Sequence, residues 1–210
     1  RLGLAALAAT AMPAMALAAA WTLPAGEGQL IVTGSFATAS RGYDADGSRI
    51  DIADYEKGEV NALLEYGLTD DLTVILEPQI QHITIGAPTE ARRFGPGYTD
   101  IGLRHRLWSE PHAVLSAQVT ARLPGTRNEG NPAAIGYTDS QLDLRLLYGR
   151  SFHLGNYPAF LDTQLAYRLR FEAPADEIRL DVTVGMFPHP RLLLLAQSFN
   201  VMADTTFGGV

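Results

Sequence analysis

The chain has 210 residues, a formal net charge of -7, 47% hydrophobic residues and no cysteine. The absence of cysteine excludes a disulfide framework and a thiolate metal site, and the acidic balance argues against a nucleic-acid partner. Past the N-terminus no apolar run approaches the roughly 20 residues of a membrane-spanning helix, so a helical membrane protein is excluded as well.

The first twenty residues differ from everything that follows. Arg1 precedes a run of Ala, Leu and Met that ends in small residues at Ala16, Ala18 and Ala20. This pattern predicts a secretory signal peptide at residues 1–20, with cleavage before Trp21 or a residue or two earlier. A membrane anchor or a buried helix is the alternative interpretation. We therefore expect export from the cytoplasm and a folded domain at residues 21–210.

Apolar and polar residues alternate over most of the remaining chain, which is the period of a β-strand. A first strand is predicted at 28–38, followed by a polar loop at 40–54. The strongest hairpin lies at 59–81, where two alternating arms flank turn residues at 67–71. Each arm has about ten residues, the length that a tilted strand needs to cross a bilayer.

Further strands follow the same alternation, and loops rich in Gly, Pro and polar residues separate them, the first of these loops at 87–97. The strands are predicted at 98–108, 113–123, 138–148, 160–171, 178–186 and 192–201, and in the last of these an apolar run hides the alternation. The connections tend to be alternately short and long, as in outer-membrane barrels with short periplasmic turns and longer outer loops. The connection at 149–158 is longer than this pattern predicts. In the long loop at 43–54, four aspartates suggest a divalent-cation site or, as the favoured alternative, a solvated loop.

A secreted β-sandwich would also show alternation, with its polar face in water. The signal peptide and the many charges in the middle of strands favour a membrane barrel instead. So do the aromatic residues near strand ends, among them Phe160 and Tyr98, whose rings we expect in the exposed interfacial girdles of such a barrel. The predicted fold is all-β, an antiparallel up-and-down transmembrane β-barrel in the bacterial outer membrane. Because a barrel must close, we expect the complete protein to have about ten to twelve strands, about nine of them present in a C-terminally truncated chain.

Every second residue of a strand lies on the same face, and the polar face of the strands carries charges that we expect to face the lumen. They form either a solute path or ion pairs that fill a narrow barrel. The residues are Glu59, Glu65, Glu77, Arg104, Arg106, Arg122, Asp143, Arg145, Asp162, Arg168, Arg170, Arg179 and Asp181.

Catalysis and metal binding have little support in the sequence. No G-x-S-x-G elbow occurs, and Asp139-Ser140, His105 and Ser116 are the only suggestive residues. The histidines are scattered singly, without H-x-x-x-H or H-E-x-x-H spacing. We expect no enzyme activity, no metal and no cofactor.

Short motifs within residues 95–170 resemble a known family. They are Gly95-Pro96-Gly97-Tyr98-Thr99-Asp100, Arg104-His105-Arg106-Leu107, Leu123-Pro124-Gly125-Thr126 and a second opening, Gly136-Tyr137-Thr138-Asp139. The chain thereby resembles the porin-like outer-membrane β-barrels grouped under the meta-pathway of phenol degradation. The N-terminal part has LPAGEGQLIVTGSFATASRGYDADG at 23–47, YEKGEV at 55–60 and EYGLTDDLTV at 65–74, and with these segments it is similar to XagA-like proteins. The resemblance implies a barrel, and either traffic in small molecules or involvement with exopolysaccharide. It implies no catalytic residues.

Two functions are therefore expected from the sequence. The first is a passive channel for small solutes, such as aromatic compounds or saccharides. The second is a closed barrel that serves as a structural or accessory component of exopolysaccharide or surface assembly, and a secreted soluble β-sandwich is a lesser alternative. The expected partners are the lipid bilayer with its lipopolysaccharide, the small-molecule solute and the barrel-assembly machinery.

Overall fold

The computed structural model describes residues 19–125, 131, 133, 139–171 and 175–204. Nine strands account for most of them and no helix occurs among them: β1 (Gly28–Tyr43), β2 (Arg49–Thr69), β3 (Leu72–Ile85), β4 (Ala91–Glu110), β5 (Ala113–Leu123), β6 (Gln141–Leu154), β7 (Tyr157–Arg170), β8 (Asp176–His189) and β9 (Leu192–Asp204). Within this part of the chain, no helix is long and apolar enough to cross a membrane.

The strands form one antiparallel sheet in which each strand pairs with the next along the chain. The sheet curls into a half-barrel, with β1 and β9 at its two edges. The all-β, antiparallel, up-and-down arrangement predicted from the alternation is therefore confirmed. Pro78 lies at a register shift between β3 and β4, because a proline cannot donate to the ladder.

Short turns gather at one end of the half-barrel, which we call the turn end. Here β2–β3, β4–β5, β6–β7 and β8–β9 are each joined by two residues: 70–71, 111–112, 155–156 and 190–191. The prediction of a long connection at 149–158 was wrong. β6 continues to Leu154 and β7 begins at Tyr157, because the intervening Gly155-Asn156 pair forms a tight hairpin turn with Gly155 at φ 61°.

The predicted loops at 40–54 and 87–97 were too long. β1 and β2 pair until Tyr43 and Arg49, which leaves only a turn at 44–48. There the Asp44 carboxylate accepts the N–H groups of Asp46 and Ser48 at 3.0 and 2.7 Å. Backbone pairing persists because these strand extensions are exposed on both faces, so polar side chains cost nothing there. β4 also begins earlier than predicted, at Ala91, where it pairs with Ile85 at the end of β3.

The two faces of the sheet have opposite character, and the apolar face is the convex one. A row of apolar side chains crosses the sheet from β2 to β9, each next to its neighbour on the adjacent strand: Tyr66, Val74, Leu103, Val119, Leu144, Tyr167, Ile178 and Met202. Leu144 is 45% exposed and Leu180 37%, whereas Glu65 is 6% and Asp162 2% exposed on the concave face. Large apolar side chains are therefore exposed on one face while charged side chains are buried on the other, and charged residues are almost never fully buried unless they are paired.

Candidate functional site

Charged side chains fill the concave face. Of the thirteen charges predicted to face the lumen, six are buried: Glu65, Arg104, Asp143, Asp162, Arg168 and Asp181. The other seven are partly buried: Glu59, Glu77, Arg106, Arg122, Arg145, Arg170 and Arg179.

Arg104 on β4 is the centre of the first group. Its Nη2 lies 2.7 Å from Oε1 of Glu65 on β2, and each side chain is only 5% exposed. Its Nε donates to Oε1 of Gln118 at 3.0 Å and its Nη1 to the carbonyl of Trp21 at 3.1 Å. Gln29 donates to the other oxygen of Glu65. Both charges are therefore compensated in full, which is the condition for burying an ion pair without a large penalty.

A second group joins β6, β7 and β8. Arg145 contacts the carboxylates of Asp143 at 3.1 Å and Asp181 at 2.9 Å. Arg168 contacts the other oxygen of Asp143 at 3.0 Å. Two arginines and two aspartates thus form a network in which charges of opposite sign alternate, and it ties three neighbouring strands together.

The third group lies nearer the end opposite the turns. Arg122 makes two hydrogen bonds to Asp100, of 2.8 and 2.6 Å, and its guanidinium carbon lies 5.3 Å above the centre of the Tyr98 ring. Arg170 pairs with Glu177. The sequence placed Tyr98 in an interfacial girdle of aromatic residues, but its ring instead packs beneath Arg122 on the concave face.

The site includes residues that the sequence analysis did not select. Asp100 and Gln118 lie on the polar parity of their strands, so the alternation could have identified them. The segment at residues 19–27, which we call the N-terminal strap, has no alternation of apolar and polar residues, so no pattern in the sequence predicted its place in the interior. Phe160 was expected among the exposed aromatic residues, but it is 3% exposed because Gly185 leaves room for its ring inside the sheet.

The N-terminal strap lies across the turn end of the half-barrel. Leu23 donates its N–H to Oγ1 of Thr73 at 2.9 Å. The N–H of Gly26 donates to the carbonyl of Gly67 on β2 at 2.8 Å, and the N–H of Gly67 donates to the carbonyl of Glu27 at 2.9 Å. A Cβ on Gly67 would lie 2.1 Å from the carbonyl oxygen of Pro24. The sheet and the strap therefore fit too closely here for any side chain.

The tip of the strap enters the interior. Ala20 is fully buried and packs with Val114 and Leu147, and the Trp21 ring lies against Gly149. Beyond it, a cavity of about 710 Å³ remains between the charged groups. Its walls carry nine of the thirteen predicted charges: Glu65, Glu77, Arg104, Arg106, Arg122, Asp143, Arg145, Arg168 and Arg179. A space this size holds a small polar molecule.

We expect Gly149→Val to expel the strap from the interior. A Cβ at this position would lie 2.2 Å from the Trp21 ring, so the ring must move. In a Trp108→Phe background, which leaves Trp21 as the single tryptophan, the fluorescence emission should shift to longer wavelength as the indole meets water. Gly34→Val is the matched control, because a Cβ there meets nothing within 4 Å. Unchanged emission from folded Gly149→Val would contradict this arrangement.

The residues considered for catalysis are not brought together. Ser116 is fully buried and donates to the carbonyl of Ala20, whereas His105 is exposed on the convex face. In the part of the chain described, no group of three His, Cys, Asp or Glu residues is arranged to hold a metal ion. The aspartates of the predicted acidic loop are dispersed, with Asp44 in the turn and Asp51 and Asp54 exposed on β2.

No protein-family profile, curated protein or solved structure matches this chain. The resemblance to porin-like and XagA-like barrels stays a prediction. What the structure defines is a class of architecture, an antiparallel meander curled into a half-barrel with a charged interior and an apolar exterior.

Proposed function

We propose that the chain forms an outer-membrane β-barrel that acts as a passive channel for small polar solutes. The observation that carries the proposal is the inversion of the sheet, with Leu144 and its apolar neighbours exposed outside and Glu65, Arg104 and Asp143 buried inside. Lipid is the solvent in which such an exterior is stable, and a polar lumen is the counterpart expected of membrane barrels. A signal peptide at residues 1–20 would deliver the chain to the cell envelope.

The cavity supports a solute of mixed charge. Its walls present carboxylates and guanidinium groups together, with Trp21 and Ile75 as apolar contacts. Fixed charges of both signs favour polar or zwitterionic molecules over purely apolar ones. Aromatic compounds with a polar group and saccharides both fit this chemistry.

A closed accessory barrel is the second candidate, and a specific observation favours it. Most charges of the interior are engaged in ion pairs, such as Arg104 with Glu65 and Arg168 with Asp143. The N-terminal strap also covers the turn end. In this alternative the ion pairs fill the interior, and the protein contributes a stable surface to polysaccharide assembly instead of a path.

Conductance separates the two candidates. We expect the full-length protein to give discrete current steps in planar bilayers, and Arg179→Gln to shift its ion preference toward cations. Arg179 lines the cavity, and among the described residues it forms no ion pair and its Nε has no hydrogen-bond partner, so the substitution removes a positive charge without breaking a pair. Arg191→Gln, in the exposed β8–β9 turn, is the matched control and should leave the reversal potential unchanged. If the folded protein gave no current steps, the channel would be excluded.

Cell fractionation tests the membrane location independently. The full-length protein should sediment with outer membranes and require detergent for extraction. Recovery as a soluble periplasmic or secreted protein would contradict the proposal.

A further inference from the structure

Ala20 belongs to the folded body of the protein. Both of its backbone polar groups bind buried side chains, because its N–H donates to Oδ2 of Asp162 at 2.8 Å and its carbonyl accepts from Oγ of Ser116 at 2.6 Å. The residue itself has no exposed surface. A chain that began at Trp21 would leave Asp162 and Ser116 each without this partner, at the cost of burying unsatisfied polar groups.

Asp162 is a buried carboxylate whose two direct partners are neutral. It is 2% exposed and accepts hydrogen bonds from the N–H of Ala20 and, at 2.7 Å, from Nε2 of Gln164. Arg104 and Arg145 are the nearby cations, but they bind other carboxylates. Among the described residues Asp162 makes no ion pair, which sets it apart from Glu65, Asp143 and Asp181. A buried charge without a paired charge is costly, so a cation placed beside Asp162 would stabilise the folded state.

A cation would arise at this place if the leader were removed just before Ala19 or Ala20. Ala16-Leu17-Ala18 matches the small-x-small pattern of a cleavage site that ends at Ala18. Water hydrolyses the peptide bond, which leaves a carboxylate on the leader and an α-ammonium group on the mature chain. Consecutive Cα atoms are about 3.8 Å apart, so an ammonium group on Ala19 or Ala20 lies within one residue of Asp162.

We propose that leader removal before Ala19 or Ala20 creates an α-ammonium group that pairs with Asp162 inside the half-barrel. The pair fixes the N-terminal strap across the turn end, and an unprocessed chain lacks it because its amide nitrogen is neutral. Processing thus completes the charge balance of the interior. The inference rests on the export step of the proposed function and adds a residue-specific role for the new N-terminus.

The test begins with the mature protein isolated from a Gram-negative host. Mass spectrometry of the N-terminal peptide should place the first residue at Ala19 or Ala20. The folded protein is then treated with formaldehyde and cyanoborohydride, which dimethylate free amines. Lys57 is the only lysine of the sequence and its side chain is 33% exposed, so it serves as the internal reference. We expect the α-amine of the folded protein to react at least about tenfold more slowly than that of the unfolded protein, because reaction requires local opening.

Asp162→Asn should abolish most of this protection, since an amide cannot pair with the ammonium group. Asp181→Asn is the matched control, because Asp181 is also a buried carboxylate but binds Arg145 and not the strap. It should leave the labelling rate of the α-amine unchanged. If Asp162→Asn does not fold, the comparison of folded and unfolded wild-type protein still decides the matter.

Three outcomes would overturn the inference: a mature chain that begins at Trp21 or later, an uncleaved leader, or an α-amine that reacts equally fast in folded and unfolded protein. Unchanged protection in folded Asp162→Asn would do the same. Failure of the inference is distinguishable from failure of the proposed function. A protein in the outer membrane with an unprotected α-amine contradicts the inference alone, and a soluble protein with a protected one contradicts the membrane location alone.

Discussion

We expect Leu144→Arg to destabilise the protein in lipid vesicles by about 2–4 kcal/mol, the cost of an arginine on the lipid face near the bilayer centre. Leu144 lies in the middle of β6 on the convex face and is 45% exposed. If this face were in water, the same substitution would change stability by only about 0.5 kcal/mol. The urea midpoint of unfolding from vesicles, compared with that of the wild type, measures the difference.

Leu154→Arg is the matched control for this experiment. Leu154 lies on the same strand and the same face, is 48% exposed, and directly precedes the two-residue turn at 155–156. Near the membrane interface an arginine costs only about 0–1 kcal/mol. Equal, small effects at both positions would show that the convex face meets water, and the proposed function would fail.

The second large effect is expected from Arg104→Ala, at about 3–5 kcal/mol of destabilisation. The substitution removes the cation from a pair in which both side chains are 5% exposed, so Glu65 would remain buried with an uncompensated charge. It also removes the hydrogen bonds to Gln118 and to the carbonyl of Trp21. Urea unfolding from vesicles again gives the change in free energy.

Two further variants show whether the loss of the ion pair causes the destabilisation expected of Arg104→Ala. In the double variant Glu65→Gln/Arg104→Gln, neutral side chains retain hydrogen bonding, and most of the lost stability should return. Arg106→Ala removes a pair with Asp71 in which the side chains are 31% and 55% exposed, so it should cost less than about 1 kcal/mol. If Arg104→Ala were no more destabilising than Arg106→Ala, the buried pair would not be a determinant of stability.

Strand alternation was sufficient to predict most of the fold, but not the ends of its elements. The period of two located eight of the nine strands of the described sheet, because one face of those strands is largely apolar, whereas β9 was predicted from an apolar run without a clear parity. The prediction failed at 40–54 and 149–158, where backbone pairing continues past the residues assigned to the strands. Strand ends depend on the neighbouring strand's hydrogen bonds, which a single segment of sequence does not contain.

In the candidate site, too, the sequence predicted one part and not the other. The alternation alone placed Arg104 and Glu65 on one face, but it did not predict that they form a pair, because Glu65 lies 39 positions before Arg104 in the chain. The register of β2, β3 and β4 determines that contact. The N-terminal strap had no periodicity, and its fit depends on two glycines, Gly67 and Gly149, whose lack of a side chain matters only against the folded strap.

The sequence by itself determined that the chain is all-β, that it runs up and down, and that most strands have one apolar and one polar face. These properties follow from the two-residue period, which any extended strand obeys. Only the tertiary structure decided which charges pair, that Tyr98 and Phe160 face inward, and that Ala20 is bound to Asp162 inside the half-barrel. Such contacts join residues far apart in the chain, so they exist only once the sheet has curled.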